Sequence, residues 1–454
     1  MLHACFSESG GFHELLMSRH METPSSPEAP WRLALYCDEV VPGNALSSDN
    51  QRKIWAFYAS FLEFGAVELA QEELWMTVTI MRTSQVALVE SGVSQVVAKI
   101  LHRVFKNEAC DVRVAGLRLK GPNGKIITLW FTFDCFVADG AAHKYVWQCK
   151  GDSGMKFCIF CRNLVAEKSK IVDDDGNDVL VCSKIERAEL DQATDSDIIG
   201  TIDRLISKKD SLNSANFKLW QQACGFTFAA CGVLFDPCLR DIVKPVSQYM
   251  IDWMHGVFVK GVWHTTFFLV ILALQSCGID SYAVMTEFLV AWSLPVGKLA
   301  SKSHLLNLFL PKRKQSNKEA KTFKCTASDG LSLYGLVALC IQEKILPQLR
   351  SRSAQAACRA YLLLSNVIDL LAASASGLIS PDDLDNAVDG FLALCKAAGW
   401  SNRMHSKFHW LLHFGQHLRQ HLLLLNCWVH ERRHKLVKRY SSLHMLAYRL
   451  ILCI

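Results

Sequence analysis

The sequence predicts an α/β protein in which a sheet-forming region precedes a mainly helical one. Short apolar runs with the length of strands crowd residues 31–140, whereas after about residue 200 the apolar segments lengthen, take helical spacing and leave few strand signals. The 454 residues, of which 50% are hydrophobic and 20% charged, exclude a disordered chain. Their number suffices for one large domain with an insertion or for two domains.

Composition also narrows the class of partner and the compartment. Lys and Arg number 49 against 43 Asp and Glu, a net charge of +6 that is too small to indicate a polyanionic partner by itself. The first twenty residues lack a signal-peptide pattern, so the 18 cysteines predict free thiols in a reducing compartment, nuclear or cytoplasmic. The most apolar run, Val262–Leu274, is shorter than the about 20 residues of a membrane span. It predicts a buried helix in a soluble protein that does not enter a membrane.

The chain is predicted to begin with a flexible tail at residues 1–30. The end of this tail, from Thr23 to Pro30, contains three prolines, which remove amide donors and fix φ, so it suits neither helix nor strand. The continuous apolar run Leu33–Cys37 then predicts a central strand covered on both faces. The strand is expected to stop at Asp38, which places this carboxylate at a strand end.

The remaining elements of the first region follow in order. Two further strands and an amphipathic helix are predicted by their apolar spacing, at 54–64, 75–81 and 84–105. A Gly-Pro-Asn-Gly turn at residues 121–124 then joins strands predicted at 112–120 and 125–137. The last of these strands delivers Asp139 at its end.

The later region is predicted to be helical. Its clearest apolar runs lie at 267–274, 334–346 and 360–373. Between the first two of these runs, Pro311–Lys324 carries six Lys and Arg residues against one Glu, which predicts an exposed basic loop.

The most specific local motif is Cys158-Ile159-Phe160-Cys161. Two thiolates three positions apart can bind one tetrahedral zinc from a tight turn, but they supply only half of the four ligands. In a chain with 18 cysteines the pair could equally be two unrelated core thiols. The motif therefore predicts a zinc site only if a second pair of ligands lies elsewhere in the chain.

A series of histidines offers that second pair. They recur at every fourth position, at His405, His409, His413, His417 and His421, a spacing that puts neighbours on one face of a helix. An adjacent pair could bind a metal together with the two cysteines and complete a Cys2His2 set. The alternative is a polar stripe of ordinary surface histidines.

Glu431 lies in a predicted helix that is rich in cations. Lys435 and Lys438 share its face at i+4 and i+7. One interpretation is an ordinary surface helix stabilised by ion pairs. The other is that Glu431 binds a hard divalent metal ion while the Lys and Arg side chains contact phosphates.

Two aspartates favour the second interpretation. Asp38 and Asp139 both follow predicted strands, where α/β folds place their chemistry, although surface aspartates at strand ends are common. Asp134 is a competing acid, but it lies within the strand pattern, whereas Asp139 is followed by small residues that let a helix start close to the acid. Asp38 and Asp139 are thus the preferred candidates.

These motifs lie in longer segments that follow one another along the chain: YCDEVVPGN, VADGAAHK, KFCIFCRN, YMIDWMHGV, SKFHWLLHFG and WVHERRHKLVKR. Together they resemble the transposase of plant-type CACTA elements, in particular diverged copies found in protist genomes. The resemblance covers roughly residues 31–440. It implies an α/β fold with a ribonuclease-H-like core beginning at 31–165, a large mainly α insertion at 166–400 before the last catalytic acid, and C-terminal helices at 401–454 that complete the core.

The resemblance implies a DDE triad formed by Asp38, Asp139 and Glu431. With two Mg²⁺ or Mn²⁺ ions held by these carboxylates, such an enzyme activates water to cut the element end and then activates the freed 3′-hydroxyl for strand transfer. Its partners would be transposon ends and target DNA, and its active form a homo-oligomer. Besides the basic loop, the expected phosphate contacts are Arg432, Lys435, Lys438 and Arg439.

By the same resemblance one structural zinc would be bound by Cys158, Cys161, His409 and His413. A similar layout occurs in the related recombinase of antigen-receptor gene assembly. Such a crosslink would offset part of the ordering cost of the long excursion between Asp139 and Glu431. The family's DxxH pattern corresponds to Asp252 and His255, which would support either metal site or cap a helix.

Two departures from the family pattern bear on activity. No DNA-reading module is recognisable ahead of the first strand, and the chain ends soon after Glu431, as expected of a fragment or a decayed copy. Two alternatives therefore stand beside an active transposase. One is a catalytically inactive, zinc-stapled DNA- or protein-binding protein, and the other is a structural helical protein in which the motifs are coincidental.

Overall fold

In the computed structural model, the chain folds into two compact units. The core unit comprises Met1–Arg162, Gln192–Asp252 and Leu425–Ile454, and the helical unit comprises Asn163–Asp191 and Trp253–Leu424. Backbone and side chains are described for residues 2–41, 53–107, 111–151, 154–165, 186–293 and 300–438. The backbone alone is described for 167–172, 178–181 and 439–442.

The described part of the chain contains one five-stranded sheet and two hairpins. The strands are β1 (Trp31–Val40), β2 (Ile54–Phe61), β3 (Met76–Arg82), β4 (Leu117–Lys120), β5 (Ile126–Leu129), β6 (Phe131–Ala138), β7 (Glu167–Val172), β8 (Asp178–Val181) and β9 (Tyr249–Ile251). The main sheet has the order β3-β2-β1-β6-β9, and β4-β5 and β7-β8 form the hairpins. The pairs β1-β2 and β2-β3 are antiparallel, while β6 runs parallel to both β1 and β9. The predicted α/β class is confirmed, with a mixed sheet.

Helices account for most of the remaining structure. The first helices of the core unit are α1 (Leu2–Ser7), α2 (Gly11–Glu22), α3 (Ala66–Leu69), α4 (Thr83–Val86), α5 (Gly92–Phe105), α6 (Gly140–Trp147), α7 (Asp195–Lys209) and α8 (Ser214–Cys224). Those of the helical unit are α9 (Trp253–Phe258), α10 (Val262–Gln275), α11 (Ser281–Ala291), α12 (Lys302–Asn307), α13 (Pro311–Ala320), α14 (Ala327–Cys340), α15 (Arg352–Ala373), α16 (Pro381–Ala397), α17 (Ser406–Trp410) and α18 (Phe414–His421). The last helix, α19 (Trp428–Ser442), belongs to the core unit.

The central strands of the main sheet carry apolar side chains on both faces. All eight residues of β2 are buried, and so is most of β1, which confirms the predicted central strand. β1 does not stop at Asp38, however, because its antiparallel pairing with β2 continues to Val40. Its parallel pairing with β6 ends at Tyr36. Asp38 therefore lies inside the strand but beyond the region where β1 and β6 are paired.

The strand predicted at 125–137 is in fact two strands separated at Trp130. The Trp130 N–H donates to Ser25 Oγ at 3.1 Å, and its carbonyl accepts the Trp31 N–H at 2.8 Å. The chain thus changes partners at this residue, leaving the β4-β5 hairpin and entering the main sheet. The sequence alone did not reveal the break because apolar residues continue across it.

Residues 2–22 form α1 and α2 rather than a flexible tail. Phe6 and Leu16 are fully buried, and Arg19 forms an ion pair of 2.7 Å with Glu68. Burial of these apolar side chains offsets the entropy lost on ordering the segment. The proline-rich stretch after α2 forms neither helix nor strand, as predicted, and its Thr23 carbonyl accepts the Trp31 indole N–H at 2.8 Å.

The bounds of the helical excursion differ from the predicted 166–400. Residues 192–252 belong to the core unit because β9 pairs with β6 and the buried Gln248 amide donates to the Phe133 carbonyl at 2.8 Å. Residues 401–424 belong to the helical unit. Among the described residues, β9 is the single strand that 200–400 contributes to the main sheet.

The helical unit has an apolar interior. α10 is buried along most of its length, which confirms the prediction for Val262–Leu274. Two segments, Trp253–Gln275 and Arg352–Ser376, are long and apolar enough to span a membrane by length and composition, but 78% and 50% of their apolar windows are buried within the fold. Such burial is typical of core helices in water-soluble proteins.

The basic segment after Leu310 is a helix, not a loop. Pro311 occupies the first turn of α13, where its missing N–H costs nothing. The fully buried Asn317 donates to the Tyr282 hydroxyl at 2.9 Å and accepts the Lys324 N–H at 2.9 Å. These bonds order the segment that charge alone suggested would be irregular.

Candidate active site

Three aspartates lie just beyond the residues through which three neighbouring strands are paired in parallel. β6 is paired with β1 on one side and with β9 on the other, and the last paired residues lie one or two positions before Asp38, Asp139 and Asp252. Because the strands are parallel, these aspartates come from the same edge of the sheet. The carboxyl edge of parallel strands is where α/β proteins commonly bind ligands.

Asp38 is held by its own strand. Its Oδ1 accepts the Glu39 N–H at 2.7 Å, and its Oδ2 accepts the Tyr36 hydroxyl at 3.3 Å. The side chain remains 20% exposed. Asp38 is thus oriented within the sheet and yet accessible to a small ligand.

Helix α19 brings Glu431 and His434 to Asp38. The Nδ1 atom of His434 lies 3.9 Å from Asp38 Oδ2 and 3.7 Å from Glu431 Oε2. One ligand atom from each of these three side chains lies within 4.8 Å of the other two. Glu431 is 46% exposed along its side chain, whereas His434 is 3% exposed. The arrangement can hold a divalent cation between two carboxylates and an imidazole.

The sequence analysis did not select His434. The available signal was its position three residues after Glu431, which puts both side chains on one face of a helix. The Nε2 atom of His434 is buried and has no hydrogen-bond partner within the described part of the chain.

Asp139 is the N-cap of α6. Its Oδ1 accepts the Ala142 N–H at 2.6 Å, and Oδ2 makes no hydrogen bond within the described part of the chain. The pKa of the Tyr36 hydroxyl is raised well above its ordinary value, first by burial and also by the charges of Asp38, Glu431 and Asp139. The three predicted acids therefore act electrostatically on one buried side chain of β1. Asp139 is a helix cap, and it is not part of the group in which ligand atoms of Asp38, Glu431 and His434 lie within 4.8 Å of one another.

Asp252 is buried and connects β9 to the start of α19. It is 2% exposed, and its Oδ1 accepts the Cys427 N–H at 3.1 Å. The Cys427 carbonyl in turn accepts the Glu431 N–H at 2.9 Å. Burial and the neighbouring Asp252 carboxylate raise the pKa of the Cys427 thiol well above its ordinary value. Asp252 thus anchors the first turn of the helix that carries Glu431.

His255, the second residue of the DxxH pattern, lies in α9 of the helical unit. It is half-buried, and its carbonyl accepts the Lys407 ammonium at 3.1 Å.

Aromatic packing holds α19 against the sheet. The buried His430 ring stacks on Tyr36 with centroids 3.7 Å apart and meets the edge of Trp75 at 4.1 Å. Burial first, and then the nearby His434, lower the pKa of His430 well below its ordinary value. A neutral, packed His430 therefore fixes the rotation of α19 that presents Glu431 and His434.

The cations of α19 differ in what they contact. Arg432 forms an ion pair with Glu72 at 3.1 Å and donates to the Ala70 carbonyl at 2.7 Å, so it is engaged within the core unit. Lys435 and Lys438 are exposed. The Arg439 side chain lies outside the described residues. Lys435, more than Arg432, is placed to meet an external anion.

A second group of ligands is formed by soft donors. Cys158, Cys161, His409 and His413 are buried, and one ligand atom of each lies within 4.8 Å of the other three. The Nε2 atoms of the two histidines are 3.0 Å apart. Two thiolates and two imidazoles are a donor set that suits tetrahedral zinc. This buried Cys/His group could hold a metal such as zinc.

The histidine series is neither a surface stripe nor one regular helix. His409, His413, His417 and His421 are all buried, and a short 3₁₀ segment over Leu411–His413 separates α17 from α18. His405 is the N-cap of α17 and lies 3.3 Å from the Thr265 hydroxyl. The spacing of four thus pointed to metal ligands, but local geometry selects which histidines belong to the group.

No protein family model matches the chain, and no curated protein matches it. The chemistry of the described side chains is therefore the basis on which a function can be assigned.

Proposed function

We propose that the protein is the catalytic core of a DNA transposase that uses a DDE triad of carboxylates with divalent metal ions. The observation that carries the proposal is the approach of Asp38 and Glu431 in the group completed by His434, at the sheet edge where Asp139 ends the neighbouring strand. Acids from distant parts of the sequence converge there on one accessible surface. The mixed sheet with acids after parallel strands supports a ribonuclease-H-like fold.

The carboxylates suit hard divalent cations. Asp38, Asp139 and Glu431 would hold Mg²⁺ or Mn²⁺, which supply an activated water for cutting DNA and then an activated 3′-hydroxyl for strand transfer. The protein's own contribution is positioning. Asp38 is oriented by Tyr36 and Glu39, and the first turn of α19, which carries Glu431, is anchored by Asp252.

Binding of DNA is supported by the cations beside the cluster. Lys435 and Lys438 are exposed on α19, one and two turns beyond Glu431. Their charge would attract the phosphates of transposon ends and target DNA. In the active state the protein would assemble as a homo-oligomer.

The Cys/His group would have a structural role. Four protein ligands are supplied by Cys158, Cys161, His409 and His413. They would complete the coordination sphere of a tetrahedral zinc ion and leave no position for substrate. The zinc would therefore stabilise the fold and take no part in cutting DNA.

The rival function is a zinc-stapled DNA- or protein-binding protein without turnover. It is favoured by the helix-capping bond of Asp139 to Ala142, since an acid can occupy a helix N-terminus for structural reasons alone.

The deciding experiment is a nicking assay on supercoiled plasmid DNA with the full chain. Nicked product is expected with Mg²⁺ or Mn²⁺ and little product with Ca²⁺, which binds carboxylates but supports such chemistry poorly. Isothermal calorimetry with Mn²⁺ measures whether the carboxylate cluster binds the ion. Binding of Mn²⁺ without nicking would favour the rival function, and absence of both would reject the metal-dependent site.

A further inference from the structure

The core unit contains a cavity that adjoins the Cys/His group, since Cys158 and Cys161 are among its lining residues, but extends beyond it. It has a volume of about 520 Å³ and is bounded by α7, by α8 and by the turn at residues 156–162. Cavities of this size accommodate ligands as large as a nucleotide. The wall includes Lys156, Arg162, Arg204 and Trp220.

Positive charge dominates the wall. Arg162 approaches Asp197, an acid of the cavity wall, at 3.7 Å, and Asp197 also accepts bonds from Thr194 as part of a helix cap. Lys156 and Arg204 make no ion pair within the described part of the chain. Their charges are therefore available to an anionic ligand.

Three further lysines, Lys150, Lys208 and Lys218, interact with wall residues or with one another. Burial lowers the pKa of Lys150, and the positive charge of Lys218 adds to this effect. Lys208, one turn beyond Arg204 on α7, lies with its ammonium 5.7 Å from the Trp220 ring centroid. Lys208 on α7 and Lys218 on α8 thus add positive charge to that of the cavity wall, which suits a ligand with more than one phosphate.

An aromatic ring accompanies these charges. Trp220 lines the cavity and is 40% exposed, an unfavourable arrangement for so large an apolar side chain. Aromatic rings placed beside cationic grooves stack on nucleobases whose faces are uncovered. The faces of paired bases in a duplex are already stacked, so the combination favours a single strand.

We infer that this cavity binds one nucleotide of a single DNA strand, with the base stacked on Trp220 and the flanking phosphates contacted by Lys156 and Arg204. The inference rests on the proposed function for the choice of DNA, because an enzyme that cuts and joins strands exposes unpaired ends. A free nucleotide shares the same chemistry, but the cations beyond the cavity favour a polymer.

The test is fluorescence anisotropy with the full chain and a labelled oligothymidylate of about 12 nucleotides, without added Mg²⁺ so that no cutting occurs. Trp220→Ala is expected to weaken binding about tenfold, the loss typical of a base-stacking ring. The double variant Lys156→Gln/Arg204→Gln should weaken it by a similar factor. The same double variant should also reduce the salt dependence by about 1.4 in the slope of log K against log salt, because two phosphate contacts are removed.

Lys99→Gln/Arg103→Gln is the matched control. Both residues are exposed on α5 of the same unit, so this variant removes equal charge away from the cavity and should change binding less than twofold. Zinc content and melting temperature show whether each variant is folded. The inference would be overturned if the cavity variants lost no more affinity than the control variant. It would also be overturned if the native protein bound duplex DNA more tightly than single-stranded DNA.

Competition by thymidine monophosphate separates the two sources of the ligand. A strand is supported if the monophosphate displaces the oligonucleotide only at concentrations at least a hundredfold higher, and a free nucleotide is indicated if the two compete equally. The outcome is independent of catalysis. If the native protein binds single-stranded DNA through the cavity but does not nick plasmid DNA, the transposase chemistry alone is rejected. If the native protein nicks DNA and the cavity variants bind single-stranded DNA as tightly as the native protein, the cavity alone is rejected.

Discussion

The two candidate metal sites differ in ligand chemistry and in access to solvent. The carboxylate cluster is partly open, with the Glu431 side chain 46% exposed and that of Asp38 20% exposed. The four residues of the Cys/His group are each at most 7% exposed. Hard oxygen donors that face solvent suit an ion that must meet water and phosphate, whereas buried soft donors suit a closed structural ion. The difference predicts that one site governs activity and the other governs stability.

The largest effect is expected from removing the charge of a triad carboxylate. Glu431→Gln, Asp38→Asn and Asp139→Asn should each lower the rate of nicking at least about a thousandfold, because metal ions stabilise transition-state charge by several kcal/mol. Single-turnover nicking with Mn²⁺ measures the rate, and anisotropy should show DNA affinity changed by less than about threefold.

Asp134→Asn serves as the control for this comparison. Asp134 is an acid of the same strand that precedes Asp139, and its replacement should leave the rate near that of the native protein. Retention of metal-dependent cleavage by all three triad variants would remove the triad from the mechanism.

Loss of the Cys/His group should act on stability. Cys158→Ser or His413→Ala is expected to abolish the single bound zinc and to lower the free energy of unfolding by several kcal/mol, because metal binding is coupled to folding. Elemental analysis and thermal unfolding provide the two measurements. The buried Cys395 thiol offers the control, since Cys395→Ser should destabilise the protein but keep its zinc.

A carboxylate variant should show the opposite behaviour. Glu431→Gln is expected to keep one zinc per chain and a melting temperature close to that of the native protein. Zinc lost from Glu431→Gln, or retained by both variants of the Cys/His group, would contradict the division of roles between the two sites.

A smaller effect is expected at Asp252. Asp252→Ala removes the acceptor of the Cys427 N–H, a hydrogen bond to a charged group worth about 1.5–3 kcal/mol, and should lower both stability and the rate of nicking. Asp252→Asn keeps an oxygen for this N–H and should restore most of both. Suppose that Asp252→Asn lowers the rate of nicking as much as Asp252→Ala but keeps most of the stability. Asp252 would then be a metal ligand and not a positioning residue.

The smallest effect is a change of metal preference at His434. Because imidazole favours Mn²⁺ over Mg²⁺, His434→Leu should weaken Mn²⁺ binding by about tenfold, within the range seen when a metal site loses a supporting group. Binding of Mg²⁺ should change little. Calorimetry with each ion measures both, and equal losses for the two ions would show that His434 acts only by packing.

Local patterns in the sequence were sufficient to predict much of the sheet. The apolar run at Leu33–Cys37 predicts a central strand, which β1 is, because continuous burial on both faces leaves its mark in consecutive residues. The run Val262–Leu274 predicts the buried α10 for the same reason. The break at Trp130 and the helices before Thr23 were missed, since both depend on partners far along the chain.

The candidate sites were only partly predictable. Spacing indicated Cys158 and Cys161, and the histidine series contained the two histidines that lie near them, but spacing did not choose between neighbouring pairs. Glu431 was a plausible ligand on residue type alone, and a surface ion-pair helix was an equally good interpretation. His434 was absent from the prediction because its role depends on Asp38, which lies at the other end of the sequence.

The sequence by itself determined the mixed α/β class, the apolar strands and helices, and the residue types able to bind hard and soft metals. Tertiary structure alone decided which of these residues meet. β9 joins β6 and places Asp252 beside Asp139, and the stacking of His430 on Tyr36 rotates Glu431 and His434 toward the sheet. Periodicity records how each segment is buried, whereas the convergence of distant side chains depends on long-range pairing that local sequence does not encode.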